Sequence, residues 1–437
     1  MPPTTILGIL SVGWASETGA PCPSLPHVPI PNPRSLPTIS ICLKTSGPFP
    51  VNVAPFIGCL IFHNSLFSLN NDLLFYERTI KYKVCKKVSL LKTKEVSYDG
   101  GLSKNIILDE DYDRDFIQIK GYDKWIEYRK DWESFCKMEK DTNFPPHLEI
   151  ELNYSCNLRC PMCTWSVENT IEKKEDWFTF EDYKKLISYA VQNGTKSIRL
   201  TYINEPLIRT DIDQFVKYAN DAGIIDVIIT TNGTLLTKEV SKKLIEAGLT
   251  KINVSLDAVT EETYNKIRIG GKFDKTIKNI YDFLQVRKAL NKKIPKIGLT
   301  FVRTKINNHE YKKFVEYWSD KVDHIGIQNP QSPFGEGKFF NPSKENEFLI
   351  KHEKSIPEKF HCPEPFKRMT LRSNGDVLGC CSFYAVDLVV GNWKTESLKE
   401  IWNNEKMKEL REIHRKGEFY KNKTCKSCIE NFSFLVD

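Results

Sequence analysis

The 437-residue chain contains 40% hydrophobic and 27% charged residues, a globular composition that excludes a chain disordered throughout. Its length allows two or three domains with a large buried core. The net charge of +7 is spread over lysine-rich helices and forms no compact block, so we expect no nucleic-acid partner. Because the sequence has no run of about 18 apolar residues, we also expect no membrane span.

Residues 1–70 differ from the rest of the chain. They are rich in proline and serine and almost free of charge, and closely spaced prolines are incompatible with regular elements. The apolar run ILGILSVGW is short and lacks a basic flank, which makes it a poor signal peptide. We therefore expect a disordered extension, or a start codon assigned too far upstream. We do not expect Cys22, Cys42 or Cys59 to be metal ligands.

Residues 75–145 have an ordinary composition and form a predicted accessory segment. YERTIKYKV and VSLL are typical of strands. YDKWIEYRKDWESFCKM predicts an amphipathic helix with Trp125, Tyr128, Trp132 and Phe135 along one side. We expect these aromatic side chains to cover one end of the domain that follows.

Residues 147–330 alternate strands and helices. The predicted strands are LEIELNY, SIRLTYI, DVIITTN, KINVSLD, KIGLTFV and HIGIQ, and helical stretches such as TFEDYKKLISYAVQN separate them. Gly194, Gly223 and Gly248 each follow a helical stretch, where a left-handed cap is usual. Strands connected by helices pair in parallel, so the fold class is α/β. Six units predict an open partial (β/α)6 barrel.

Polar or metal-ligating residues follow each of the six strands. Parallel α/β proteins bind their ligands at the carboxyl ends of the strands, so these residues are candidates for one site. In strand order they are Cys156, Cys160 and Cys163, then Glu205, Asn232, Ser255 with Asp257, Arg303, and Gln328 with Asn329.

The cysteine positions indicate metal sites and not a disulfide framework. Three of the 13 cysteines form a C-x3-C-x2-C motif at Cys156, Cys160 and Cys163, and five more occur from Cys362 onward. Two tight groups in an enzyme-sized chain are typical of metal binding in a reducing compartment, so we expect a cytoplasmic protein. Three thiolates on a four-iron cluster leave one iron open, and an open metal position permits chemistry.

The C-x3-C-x2-C motif resembles the signature of the radical S-adenosylmethionine (SAM) superfamily, although Met162 stands where an aromatic residue is common. The resemblance implies a [4Fe-4S] cluster on the three cysteines, with SAM bound to the open iron. It also implies reductive cleavage of SAM to a 5′-deoxyadenosyl radical, which abstracts hydrogen from a substrate, and a reductant such as flavodoxin or ferredoxin. The alternative is a structural zinc site completed by a residue such as His147.

Other segments of the barrel resemble the SAM-binding segments of the same superfamily. In the segment after the second strand, Tyr202 and Asn204 occupy the places of two usual glycines, so the local geometry must differ. The residues that the resemblance assigns to SAM binding are Glu205, Asn232, Ser255, Asp257 and Arg268. The alternatives are a surface acid for Glu205, loop caps for Asn232 and Asp257, and a surface cation for Arg268.

Residues 331–361 form a predicted linker, and residues 362–434 contain the second cysteine group. RMTLRSNGDVLGCC predicts a hairpin with an Asn-Gly turn, and SLKEIWNNEKMKELREIH predicts one amphipathic helix. Cys362, Cys380, Cys425 and Cys428 resemble the ligands of a SPASM/twitch auxiliary-cluster domain, which implies a second, fully ligated [4Fe-4S] cluster. A zinc site with the same ligands is the alternative. Cys381 is interpreted as buried packing, an alternative ligand or a hydrogen donor.

The two resemblances together predict a radical SAM oxidoreductase. Its radical would abstract hydrogen from a C–H bond of a substrate such as a sugar or a cyclitol, and the auxiliary cluster would accept the second electron. A radical SAM peptide or protein maturase is one alternative, and a non-catalytic iron–sulfur or zinc module is another. The sequence assigns no catalytic base.

Overall fold

The computed structural model describes residues 105–109, 111–167, 177–328 and 358–430 in full and, before residue 105, only the backbone of short strands. The chain divides into two units, Met1–Lys92 and Thr93–Asp437. In the first unit, β1 (Gly13–Ala15), β2 (Ser40–Leu43) and β3 (Ile57–Ile61) form an antiparallel sheet with β3 in the middle. The sequence analysis predicts no strand here. The difference has a local cause, because these segments fall between the prolines. The predicted disorder of residues 1–70 and the predicted strands YERTIKYKV and VSLL otherwise lie outside the described residues.

The second unit is organised by one sheet of eleven assigned strands. They are β4 (Glu95–Val96), β5 (Ser103–Ile107), β6 (His147–Ile150), β7 (Ser197–Arg199), β8 (Asp226–Thr231), β9 (Lys251–Ser255), β10 (Lys296–Val302), β11 (His324–Gln328), β12 (Arg368–Leu371), β13 (Asp376–Leu378) and β14 (Val389–Asn392). Strands β6 to β11 pair in parallel in chain order, as predicted. The sheet ends at β14 and β4 and does not close on itself. The open partial barrel is therefore confirmed.

The helices of this unit follow the predicted alternation with the strands. They are α1 (Tyr112–Lys120), α2 (Tyr122–Cys136), α3 (Thr164–Val167), α4 (Phe180–Gln192), α5 (Ile212–Ala222), α6 (Lys238–Glu246), α7 (Glu261–Ile267), α8 (Phe273–Ala289), α9 (Tyr311–Trp318), α10 (Glu364–Lys367), α11 (Leu398–Asn403), α12 (Glu405–Arg415) and α13 (Lys423–Glu430). Thr179 caps α4 by accepting from the Asp182 N–H. Gly194, Gly223 and Gly248 have φ angles of 102°, 108° and 89°, which confirms the predicted left-handed turns. Among the described segments, no helix is long and apolar enough to cross a membrane.

The two faces of the parallel sheet have different chemistry. In β10, Ile297, Leu299 and Phe301 pack in the core with aromatic side chains of the helices such as Phe283 and Phe314. Alternate residues of a strand point to opposite faces, so the polar residues of each strand lie on the face away from the helices. We call this second face the inner face. It is the concave surface on which a ligand of the barrel can bind.

The accessory segment covers the amino ends of the barrel strands, as predicted. Trp125, Tyr128, Trp132 and Phe135 of α2 are buried. Phe116 of α1 stacks on Trp125 with ring centroids 4.1 Å apart. The loops before β8 and β10 contribute Ile225 and Ile294 to the same cluster.

The C-terminal region extends the barrel sheet. Strand β12 pairs in parallel with β6, and the predicted hairpin is confirmed by the antiparallel pairing of β12 with β13. The predicted single helix is wrong, since the structure has two helices, α11 and α12. Asn404 separates them: it follows α11 and its side chain accepts from the Met407 N–H, which caps α12.

Candidate metal centres

The first cysteine group lies on the loop between β6 and α3. Cys163 N donates to Cys160 O at 3.0 Å, which closes a turn between the second and third cysteines. Leu158 N points at Cys156 Sγ at 3.5 Å. The three cysteines pack in one cluster with Leu158, Met162 and Ile267. All described cysteines are free thiols. The loop therefore brings three thiols together against an apolar wall, as the motif predicts.

Burial keeps these thiols protonated in the absence of a metal. It raises the pKa of Cys156 to about 11 and that of Cys163 to about 12, and it also raises the pKa of Cys160. Metal binding requires the thiolate form, so a bound metal would replace these protons. Among the described residues, no three His, Cys, Asp or Glu side chains are close enough to share one metal ion. A four-iron cluster does not require this, because each thiolate binds a different iron.

His147 is not placed to complete a zinc site on this loop. It begins β6 and therefore lies at the opposite end of the strand from the cysteines. Its Nδ1 atom is 2.7 Å from Ser197 Oγ, and its ring packs edge-on against Trp132 with centroids 5.6 Å apart. The zinc alternative that uses His147 is wrong for this physical reason.

Glu205 is buried after β7, where its carboxylate connects two loops. Oε1 accepts from Leu207 N at 3.0 Å and from the Thr231 hydroxyl at 2.7 Å. Oε2 accepts from Asn232 N at 2.7 Å. Burial raises the pKa of Glu205, although these donors oppose the rise. Glu205 is therefore no surface acid. It holds the loops after β7 and β8 together at the carboxyl edge of the sheet.

The residues that replace the usual glycines have specific contacts. Asn204 Oδ1 accepts from Tyr202 N at 2.9 Å, and Asn204 Nδ2 donates to Asn153 Oδ1 at 3.0 Å. The Tyr202 hydroxyl donates to Ser382 O at 2.8 Å, in the C-terminal region. The Tyr202 side chain also packs in a cluster that includes Cys156 and Cys163. Tyr202 thus connects the two cysteine groups.

Asn232 and Ser255 both lie at the predicted carboxyl edge of the sheet. Asn232 Oδ1 accepts from Thr234 N at 3.0 Å, which is the loop cap of the alternative interpretation. Its Nδ2 donates to Asn157 Oδ1 at 2.8 Å and lies 4.0 Å from Cys156 Sγ. Ser255 ends β9 and is half-buried on the inner face.

Asp257 and Arg268 bind each other, which changes the role predicted for Arg268. Asp257 is fully buried with φ +61°, and its Oδ1 accepts from Val302 N at 2.7 Å. Its Oδ2 accepts from Arg268 Nη2. Arg268 Nη1 donates to Cys160 Sγ at 3.5 Å. The carboxylate that Arg268 neutralises is Asp257, and Arg268 is a buried residue that contacts a predicted cluster ligand. The surface-cation alternative is wrong as well.

The second cysteine group is assembled from three parts of the C-terminal region. Cys362 precedes α10, Cys380 follows β13, and Cys425 and Cys428 lie on α13. Burial raises the pKa of Cys380 well above its ordinary value, and Cys381, Cys425, Cys428 and Cys362 are close enough to add to this rise. Burial also raises the pKa of Cys425 to about 12. The four predicted ligands are therefore brought together.

Cys381 contacts a charged residue beside this group. Its Sγ donates to Glu364 Oε2 at 3.3 Å. Glu364 also pairs with Lys367 and Arg368, each at 2.6 Å. Burial alone would raise the pKa of Glu364, but the two cations outweigh it and hold the pKa at about 2. The buried Cys381 thiol thus donates to a carboxylate and also lies close enough to Cys380 to affect its pKa.

Arg303, Gln328 and Asn329 are the remaining residues predicted at the carboxyl edge of the sheet. Arg303 packs over the Tyr311 ring at 4.8 Å and donates to Asn308, and Gln328 is exposed at the end of β11. Asn329 lies outside the described residues. The sequence analysis missed Arg199 on the inner face, although the alternation in SIRLTYI places it there. It also missed His414 and Ser382 beside the second cysteine group, for which the sequence carries no signal.

Comparison with known proteins gives matches in both parts of the chain. A family model described as the radical SAM superfamily matches residues 150–317, and one for the SPASM iron-sulfur cluster-binding domain matches residues 362–429. A GTP 3′,8-cyclase of Aliarcobacter butzleri (strain RM4018) is 36% identical over 141 residues, which is 32% of this chain and 43% of that protein. A GTP 3′,8-cyclase of Alkaliphilus oremlandii (strain OhILAs) is 28% identical over 232 residues, or 49% of this chain and 68% of that protein.

Among solved structures, Streptococcus suis SuiB bound to the precursor peptide SuiA is 19% identical with a TM-score of 0.48, covering 71% of this chain and 76% of that one. The chain spans about half the length of the curated relatives it matches. The two matched regions contain the two thiol groups described above, and together they make up more than half of the chain. The free thiols of the first loop and the four thiols of the C-terminal region fit the clusters that these domains bind. The chain therefore belongs to the radical SAM superfamily of iron–sulfur enzymes and carries a C-terminal SPASM domain.

Proposed function

We propose that the protein uses SAM to oxidise a small polar substrate on the inner face of the barrel. Cys156, Cys160 and Cys163 would hold a [4Fe-4S] cluster, which would supply the electron for SAM cleavage. The resulting 5′-deoxyadenosyl radical would take hydrogen from a substrate C–H bond, and the electron left on the substrate would pass to the second cluster. The four thiols of the second group would ligate every iron of another cluster, which suits electron transfer. As SAM-binding residues we propose Glu205, Asn232 and Ser255, with Asp257 and Arg268 supporting the cysteine loop.

The observation that carries this proposal is the polar inner face. Arg199, Thr230, Asn253, Ser255 and Thr300 are half-buried on neighbouring strands. The sheet register places Thr230 beside Asn253, and Ser255 beside Thr300. Hydroxyl and amide groups therefore face the space available to a substrate, while the aliphatic residues of the same strands face the helices. The hydroxyl groups of a sugar or a cyclitol would find hydrogen-bond partners there.

The exposure of the Arg199 side chain favours a substrate that carries an acidic group. Its side chain is 33% exposed, whereas the other charged side chains described on the inner face are at most 13% exposed. Arg199 Nη1 donates to Glu149 Oε1 at 2.8 Å, and Arg368 Nη1 donates to the same oxygen at 3.1 Å.

A partly exposed guanidinium on the inner face suits an anionic ligand, because a guanidinium binds carboxylate or phosphate through paired hydrogen bonds.

A nucleotide is a second candidate substrate. The curated relatives are named GTP 3′,8-cyclases, and GTP is both polar and anionic. The inner face and Arg199 have the chemistry to accept such a molecule. GTP therefore belongs among the compounds to be tested, beside sugars, cyclitols, their phosphates and peptides.

The activity is tested with anaerobically reconstituted protein, SAM and dithionite. We expect 5′-deoxyadenosine to form. Protein loaded with about eight irons per chain that forms none would contradict the proposed function. With deuterated candidate substrates, deuterium in the 5′-deoxyadenosine identifies the compound that loses hydrogen.

The role of Arg199 is tested on the substrate identified in this way. We expect R199Q to raise the KM for an anionic substrate by about 10- to 100-fold, the effect of losing a charge-assisted pair. R114Q is a matched control, because Arg114 is an exposed arginine on α1 that pairs with Asp111. A neutral substrate, or an unchanged KM in R199Q, would contradict the anionic substrate class.

A further inference from the structure

Two polar side chains lie against sulfur atoms of the second cysteine group. His414 Nε2 is 3.3 Å from Cys425 Sγ, and both residues are buried. Ser382 Oγ is 3.3 Å from Cys428 Sγ. The two contacts come from different elements, since His414 lies on α12 and Ser382 follows the cysteine pair after β13. They place one donor beside each of the two thiols of α13.

The direction of these hydrogen bonds follows from the chemistry of a ligand thiolate. A cysteine bound to iron has lost its proton and can only accept. The contact with Cys425 therefore requires the His414 tautomer that carries its proton on Nε2, and the contact with Cys428 requires the Ser382 hydroxyl to donate. Ser382 Oγ accepts from Tyr384 N at 3.2 Å, and a hydroxyl can accept one hydrogen bond and donate another.

The main chain at both donors is held by other contacts. His414 O accepts from His361 Nδ1 at 3.0 Å and from Gly417 N at 3.2 Å. Ser382 O accepts from the Tyr202 hydroxyl at 2.8 Å. The backbone positions that carry the two side chains are therefore set by the fold.

We propose that His414 and Ser382 raise the reduction potential of the cluster held by the second cysteine group. A hydrogen bond to a thiolate draws negative charge away from the cluster and so favours the state with one more electron. The inference rests on the proposed function for the presence of this cluster. It goes beyond that function by naming the residues that make the cluster easier to reduce. They are positioning residues, because they act through Cys425 and Cys428 and not on the substrate.

The test is an EPR-monitored redox titration of the reconstituted protein, in which SAM addition marks the signal of the first cluster. We expect H414F to lower the midpoint potential of the second cluster by about 59 mV, a tenfold change in the one-electron reduction equilibrium. H414Q keeps an N–H donor of similar reach and should restore most of the potential. S382A should also lower the midpoint potential of the second cluster. It provides a second measurement in case H414F does not fold. H309Q is the matched control, because His309 is an exposed histidine of the barrel.

Three results would overturn the inference. One is an unchanged potential in both S382A and H414F. Another is an equal shift in H309Q. The third is a fall to about four irons per chain in H414F, which would make His414 a ligand. Formation of 5′-deoxyadenosine without substrate depends on the first cysteine group and is measured in parallel. A failure of the proposed function is therefore distinguishable from a failure of this inference.

Discussion

The first cysteine group occupies eight residues of one loop, whereas the second is assembled from a segment before α10, the end of β13 and the helix α13. The loop after β6 brings its three thiols together by local turns such as the one between Cys160 and Cys163. The four thiols of the second group meet only because β12 pairs with β6 and the chain returns through α12 and α13. A local site needs one correct loop, and a distributed site needs the whole C-terminal region in place.

The side chains in direct contact with ligand sulfurs differ in charge between the two groups. Arg268 places a buried cation against Cys160 and is itself held by Asp257. The second group has the neutral donors His414 and Ser382 beside its sulfurs. The guanidinium stabilises the Cys160 thiolate by its charge, whereas neutral donors can stabilise a thiolate only by hydrogen bonding.

The largest expected effect separates the two groups by function. C160A should remove the first cluster, so iron should fall from about eight to about four per chain and 5′-deoxyadenosine to background. C428A should also lower iron content but keep some SAM cleavage, because the first group is intact. Iron analysis and chromatography of both variants check this. Equal loss of SAM cleavage in the two variants would contradict the assignment of SAM cleavage to the first cysteine group.

The contact between Arg268 and Cys160 should matter next. R268Q removes the cation and leaves Asp257 buried without its ion pair. We expect a 10- to 100-fold fall in SAM cleavage, the usual cost of losing a residue that supports a metal ligand. K266Q is the control, since Lys266 is exposed on the same chain segment and pairs with the exposed Glu262. Similar rates in R268Q and K266Q would contradict the role of Arg268.

The charge network beside the second group should control stability. E364Q removes the buried carboxylate that Lys367 and Arg368 share, while Arg368 keeps its contact with Glu149. We expect it to lower the free energy of unfolding by about 3–5 kcal/mol at neutral pH. The pKa of Glu364 is about 2 in the folded protein, below its ordinary 4.5. Its stabilising effect is therefore complete above pH 4.5 and is lost as the pH falls towards 2.

Urea denaturation of the metal-free protein and of E364Q between pH 2.5 and 7 measures this difference. The gap between the two proteins should narrow below about pH 4.5. A gap that stays constant down to the lowest pH would show that the carboxylate does not carry the effect.

The smallest expected effect concerns Cys381. C381S keeps a donor to Glu364 and leaves the other four thiols unchanged. Iron should stay at about eight per chain and SAM cleavage within about twofold of the wild-type rate. A fall to about four irons per chain would indicate that Cys381 is a ligand of the second cluster.

The sequence by itself determined the parallel strands, the cysteine loop and the hairpin, because each depends on residues close in the chain. Hydrophobic period, turn glycines and the spacing of Cys156, Cys160 and Cys163 are local signals. The pairing of Asp257 with Arg268 and the position of His414 beside Cys425 were decided only by the tertiary structure. Such contacts depend on which way a side chain points after distant segments have packed. A sequence pattern places a residue on an element, but packing selects its partner.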